Sequence, residues 1–149
     1  MNRMEFFRNV ILGGAGLFFL QGTADSSTGN WQKVSLANLF ITGFQYYDGP
    51  EVADMLETGL MLRLNREPHN RWDHSAIEVY AGEAKLGYIP RNENQTIARL
   101  MDNGIRMKAC ITELDPEAFP YGSVKMEVWY EQAAEIAMAE SGRSYPFNT

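Results

Sequence analysis

Residues 60–66 read LMLRLNR and residues 77–89 read IEVYAGEAKLGYI. These two stretches decide the fold. In the first, Leu60, Leu62 and Leu64 alternate with Met61, Arg63 and Asn65, so a strand puts the leucines on one face and Arg63 on the other. In the second, Ile77 and Val79 alternate with Glu78 and Tyr80, and Gly82-Glu83 supplies a turn into residues 85–89, which predicts a hairpin. Outward from this pair the period of two continues. Residues 38–46 (NLFITGFQY) are rich in β-branched and aromatic side chains and read as a strand. Ile105, Met107, Ala109 and Ile111 face away from Arg106, Lys108, Cys110 and Thr112, and Val124, Met126 and Val128 repeat the pattern. Six short strands predict a mainly β domain, either a small barrel or a strongly curled sheet.

Helices interrupt the strands. A short one is expected over 51–57 after Pro50. A longer one is expected over 93–102, with Asn92 as cap, Gln95 at the reciprocal capping-box position and Gly104 beyond its end. Its Ile97, Leu100 and Met101 form one apolar stripe, which is core material. Residues 131–140 (EQAAEIAMAE) predict a third helix before a loose tail. The expected organisation is an N-terminal segment over 1–24, a linker over 25–35, a β domain over 36–130, and a helix with tail over 131–149.

The chain has 149 residues, 45% hydrophobic and 21% charged, which suits one domain and excludes wholesale disorder. Cys110 is the lone cysteine, so neither an intrachain disulfide nor a cysteine-rich zinc site is available. No GxxxxGK[ST] loop is present, which removes the phosphate-binding signature of an ATPase motor. The formal charge is −6, yet residues 60–112 carry 8 Lys/Arg against 6 Asp/Glu. A basic middle between acidic ends argues against indiscriminate coating of duplex nucleic acid and fits a small local anion site.

Residues 1–24 read as an address: two arginines within 1–8, the apolar run VILGGAGLFFL over 10–20, then Gly22-Thr23-Ala24. That is the order of an export signal, with cleavage expected after Ala24. The apolar run is shorter than the roughly 20 residues a bilayer span needs, so no stable transmembrane helix is expected. Residues 2–8 also resemble the twin-arginine export motif, with Met4 in place of its second arginine. The chain is exported if this segment is a signal peptide, and cytoplasmic otherwise.

The residues that point to chemistry sit at strand ends and in one long polar loop. Tyr46 and Tyr47 are adjacent, so along a continuing strand they point to opposite faces, and one of them is expected to serve the core. Asn70 and Asp73 suit Asx-type bracing of the loop, and Trp72 suits a partly buried anchor. His69, Asp73 and His74 offer a weak zinc possibility whose spacing matches no standard site.

Three ordered blocks in this region resemble the HIRAN domain, found at the front of helicase-like DNA remodelling proteins and as a standalone bacterial protein. The L-x-x-x-P-x-N-x-x-D-x-x-A-I-x-V run is matched by Leu64, Pro68, Asn70, Asp73, Ala76, Ile77 and Val79. The G-x-x-Y-Y start matches Gly43, Tyr46 and Tyr47, and G-Y-I-P matches residues 87–90. The resemblance covers about residues 36–115. It implies a small OB-like six-stranded β-barrel with accessory α-helices that binds single-stranded DNA, especially the 3′ end. By that resemblance Tyr46 and Tyr47 stack on terminal bases, Asn70 and Asp73 receive the 3′-hydroxyl, and Tyr88 and Arg91 hold phosphates. Two departures stand out: Gln45 replaces an arginine of the DNA-end-binding members, and Tyr88 occupies a position that is histidine in some relatives. Both alter how phosphate is held.

The expected function is therefore a non-catalytic nucleic-acid-binding module without a cofactor, with a helicase or nuclease as a conceivable partner. An extracytoplasmic domain with a non-DNA ligand is the alternative, favoured by the N-terminal segment and Gln45. A third is an accessory domain of an ATP-hydrolysing helicase or hydrolase.

Overall fold

Alternating burial drives the sheet. Leu60 and Leu62 are buried while Met61 and Arg63 face water, and the same alternation runs through Ile77 and Val79 and through Val124, Met126 and Val128. The computed structural model describes residues 30–118 and 124–134. Six strands form one antiparallel sheet: β1 (Trp31–Phe40), β2 (Met61–Arg66), β3 (Ile77–Ala81), β4 (Ala84–Tyr88), β5 (Lys108–Leu114) and β6 (Val124–Ala133). Their spatial order is β1-β6-β5-β2-β3-β4. Ile77, Val79, Leu86, Ile111, Met126 and Val128 each expose 1% or less and make the centre of the core. Each such side chain contributes about 1.5–3 kcal/mol by leaving water. Among the described residues two short helices accompany the sheet, α1 (Gly49–Val52) and α2 (Asn94–Asp102), the latter presenting Ile97 and Ala98 to the core.

The expected barrel does not close. β1 and β4 are the edges of an open sheet, and just past the end of β1 the chain meets β4 at one residue pair, where Thr42 N donates to Tyr88 O and Tyr88 N donates to Thr42 O, each at 2.9 Å. One pair is not a ladder. Immediately afterwards Gly43, at φ 81°, turns the chain into a 3₁₀ turn over Phe44–Tyr46, so β1 never runs along β4. At the junction Gly87 has φ 144°, and a Cβ there would collide with the Thr42 carbonyl oxygen. Glycine is what lets the two edges touch.

Several expected boundaries move, and the helix expected over 51–57 runs instead over Gly49–Val52 and passes into a 3₁₀ turn over Ala53–Met55. β1 begins at Trp31, inside the stretch read as linker, and stops at Phe40 rather than reaching Tyr46. Residues 131–133, expected to open a helix, continue β6 and pair with residues 31–33. Helix-favouring composition yields there to a backbone ladder with β1. Ala134 is helical, and residues 135–140 of that expected helix, the tail and the 1–24 segment lie outside the described residues. α2 starts one residue late and lacks the expected capping box, since its first turn has no side-chain cap. Glu93 N donates to Pro90 O at 2.9 Å, and Asn94, the first helical residue, donates from its side chain to Asp73.

Candidate nucleic-acid interface

The polar loop over 67–76 is held from both ends by Arg66, the last residue of β2. Its guanidinium donates to Ala76 O at 2.7 Å and His74 O at 2.9 Å, and bidentately to the Asp102 carboxylate at 2.9 and 3.0 Å. Hydrogen bonding from Arg66 holds the Asp102 carboxyl below its ordinary range. Inside the loop Asn70 Oδ1 accepts from Trp72 N at 2.9 Å and Asp73 N at 3.1 Å, while Asn70 Nδ2 donates to Glu67 at 2.7 Å. Asp73 Oδ1 accepts from Ser75 N at 2.9 Å, and its Oδ2 accepts from Asn94 Nδ2 at 2.6 Å. Arg91 Nε lies 3.7 Å from that same oxygen. The Asx bracing expected of both residues is present. Asp73 retains accepting capacity, because a carboxylate offers about four lone-pair sites.

An aromatic wall stands across from the loop. Tyr47 and Tyr88 meet edge to face, with centroids 5.7 Å apart and planes at 64°. Tyr47 is tied to β4 through its neighbour Asp48, whose N donates to Lys85 O at 2.9 Å and whose Oδ2 accepts from Lys85 N at 2.8 Å. Strand register puts Tyr80 opposite Lys85 and Glu78 opposite Tyr88, so these outward side chains form one polar layer. Lys85 Nζ donates to Glu78 Oε1 at 2.7 Å and to Tyr88 OH at 2.9 Å, and Tyr88 OH donates to Glu67 at 3.0 Å. Glu78 also accepts from Asn65 at 2.6 Å. Burial pushes the Lys85 ammonium down, but its bonds to Glu78 and Tyr88 outweigh this and leave it above the ordinary lysine value. Burial works against the Glu78 carboxylate too, yet Lys85 and Asn65 bring it below the ordinary carboxylate range. Burial raises the Tyr88 phenol, with the bond to Glu67 adding to it against Lys85.

Five of the six expected site residues converge. Tyr47, Asn70, Asp73, Tyr88 and Arg91 line one cleft of about 320 Å³ together with Trp72. Tyr46 is not among the cleft-lining residues; it rides the 3₁₀ turn beside it, 75% exposed. Neither tyrosine serves the core, contrary to expectation, because the strand has already ended and Phe44 fills the interior position instead. Trp72 is the second correction. The loop brace holds its indole out, 81% exposed, so it is no buried anchor. His69 and His74 are both exposed, and among the described residues no group of three or more His, Cys, Asp or Glu could hold a metal. Asp73 faces Asn94 and Ser75, not the histidines.

Sequence reasoning missed Trp72 as a cleft residue and Lys85 as the centre of the wall. A tryptophan amid a polar loop was the signal for the first, and hairpin register was the signal for the second. A larger hollow of about 520 Å³ lies between α1 and the end of β5, lined by Phe44, Pro50, Leu56 and Leu114. Its charged lining among the described residues is Asp54 and Asp115, which suits an anionic strand poorly.

An open antiparallel sheet with an aromatic-walled cleft at the meeting of its two edges defines a small ligand-binding module. The chain belongs to the HIRAN domain family, whose model matches residues 34–132. HIRAN domains are nucleic-acid-binding modules and generally non-catalytic. Among solved structures, a protein from Lactobacillus plantarum is 34% identical, the match covering 68% of this chain and 98% of that one with a TM-score of 0.59. The HIRAN domain of human HLTF shares the fold at 21% identity, covering 72% of this chain and 85% of that one with a TM-score of 0.54. The search of curated proteins found no match. Among the described residues no helix is long and apolar enough to cross a membrane.

Proposed function

We propose that this domain binds single-stranded DNA at its 3′ end, in the cleft between the Tyr47–Tyr88 wall and the 67–76 loop, and performs no chemistry on it. The observation that carries this reading is the convergence of exposed aromatic rings, one cation and one carboxylate on a single cleft. Trp72 and Tyr47 stack on bases, each contact contributing about 1–3 kcal/mol whatever the base. Tyr46, exposed beside the cleft, stacks on the next base outward. Arg91, whose side chain is 68% exposed, meets a phosphate. Asp73 accepts a hydrogen bond from the terminal hydroxyl. Asn70 has both ends of its amide engaged within the loop and shapes the site without touching the ligand. Tyr88 contributes its ring, since its hydroxyl proton is directed to Glu67.

Fluorescence anisotropy with three labelled ligands tests the proposal: a linear single strand, a covalently closed single-stranded circle, and a blunt duplex. The linear strand is expected to bind most tightly. Equal binding of the circle removes end recognition, and failure of all three removes the nucleic-acid reading.

A further inference from the structure

Lys85 lies against the aromatic wall of the cleft and not in the cleft itself. Its Nζ lies 4.3 Å from the centroid of Tyr47 and 4.3 Å from that of Tyr88, beside the edge-to-face ring pair. Its side chain is only 18% exposed, and that of its partner Glu78 only 12%. It is not among the residues lining the cleft. A phosphate therefore finds the lysine already neutralised by Glu78. What Lys85 does touch is both rings and one hydroxyl, and those contacts fix the two tyrosines relative to each other. A cation over a ring face is attracted by the ring quadrupole, more strongly when both are shielded from water.

We infer that Lys85, held by Glu78, is a positioning residue: it preorganises Tyr47 and Tyr88 as the stacking wall and makes no contact with the bound strand. This rests on the nucleic-acid reading above. Side chains immobilised on binding cost affinity, and a wall ordered beforehand avoids that cost. Lys85 also sets the polarity of the Tyr88 hydroxyl. By donating into the phenol oxygen it leaves the phenol proton to Glu67, so Tyr88 presents its ring and no donor to a phosphate.

The test is Lys85→Met in the full chain, which keeps the stem and removes the charge, with Lys85→Gln as a second variant should the first fail to fold. Affinity for a single-stranded oligonucleotide should fall about tenfold, the loss expected when two side chains must be ordered on binding. The slope of log affinity against log salt should not change, because no phosphate contact is lost. In a Tyr47→Ala background the same change should cost about twofold or less. In the free protein, the ring resonances of Tyr47 and Tyr88 should shift toward averaged values in the Lys85 variant. A salt slope reduced by one contact would make Lys85 a direct phosphate ligand and overturn the inference. So would an equal loss in both backgrounds, or full affinity in the variant. If the unaltered chain binds no oligonucleotide, the nucleic-acid reading fails on its own. The ring resonances then decide the positioning role, and unmoved signals reject it.

Discussion

Lys85 and Lys33 each lie over an aromatic ring, in surroundings that differ. At the cleft, Lys85 sits beside the Tyr47–Tyr88 ring pair with its charge met by Glu78. On the outer face of the β1–β6 ladder, Lys33 sits 4.4 Å above Trp129 with its charge met by Glu127 at 2.7 Å. Both places also display aromatic surface, since Trp31 is 63% exposed near the second pair and Trp72 is 81% exposed at the first. The difference lies in what else converges. At the cleft a loop, a strand end and a helix start bring Asp73, Arg91 and Trp72 against the ring pair. The ladder pair is 49% and 21% exposed and is the ordinary dressing of paired strands. An exposed ring near a cation is common; rings, cation and carboxylate around one hollow are what recognition needs.

The largest expected effect follows from that contrast. Trp72→Ala should weaken single-strand binding by about 1–3 kcal/mol, roughly fivefold to 150-fold. Trp31→Ala, an equally drastic loss of exposed aromatic area, should leave affinity unchanged. Anisotropy titrations of both variants check the pair, and a matching loss at Trp31 would erase the distinction between the two regions.

End recognition comes next. A hydrogen bond to a charged acceptor contributes about 1.5–3 kcal/mol, so a 3′-hydroxyl oligonucleotide should bind roughly tenfold to 150-fold more tightly than its 3′-phosphate counterpart. Like charges would otherwise meet at Asp73. Asp73→Asn should shrink the discrimination, since an amide can donate to the phosphate. Some loss of stability should accompany it, because Asp73 also joins the loop to Ser75 and Asn94. Equal binding of the two ends by the unaltered chain removes Asp73 from the role of end sensor.

How much of this was legible in the sequence depends on whether burial or pairing made the element. Ile77 and Val79, or Val124, Met126 and Val128, announce themselves because every second side chain must leave water. The first half of β1 does not, since Trp31, Gln32 and Lys33 are all exposed and only backbone bonds to residues 131–133 make them a strand. The same ladder overrides the helical composition at Glu131. In the site, the motif blocks located Tyr47, Asp73, Tyr88 and Arg91, and the fold brings them together. Whether Trp72 is buried or exposed is set by the bonds Asn70 makes to the backbone, which no periodicity encodes. Lys85 reaches its rings through a hairpin register shifted by an irregularity between Val79 and Tyr80. The capping box at Asn92 and Gln95 read well locally, but the helix starts at Asn94 with no side-chain cap, and the Glu93 N–H is met by the Pro90 carbonyl.

A smaller effect separates long-range charge from contact. Arg91→Ala should reduce the slope of log affinity against log salt by about 0.7, the contribution of one phosphate on a single strand. It should weaken all sequences alike. Lys33→Ala, which removes the same formal charge at the other region, should leave the slope unaltered. A slope indifferent to Arg91 would mean that its exposed guanidinium serves only Asp73.

The smallest effect concerns acid stability, and it sharpens the comparison because both regions contain a lysine-bound glutamate. Hydrogen bonding from Lys33 lowers the Glu127 carboxyl, and the bonds from Lys85 and Asn65 lower that of Glu78 against the opposing influence of burial. A carboxyl lowered in the folded state contributes stability that is fully present above its ordinary value of 4.5 and is lost as pH falls through the folded value. Both glutamates should therefore steepen the decline in stability below about pH 4.5. They should not do so equally. Glu127 is partnered by a half-exposed lysine, so Glu127→Gln should change the urea midpoint at pH 7 by an amount worth about 0–1 kcal/mol, near the limit of detection. Glu78→Gln leaves the shielded Lys85 ammonium without its counter-charge and should cost more. That excess should shrink toward pH 3, where the unaltered protein has also lost the Glu78 charge. Urea unfolding of both variants at pH 7 and pH 3 reads the difference directly. If the two substitutions gave the same loss at pH 7, the Lys85 layer would be no more shielded than the ladder pair, and the wall it supports would have to be held by the rings alone.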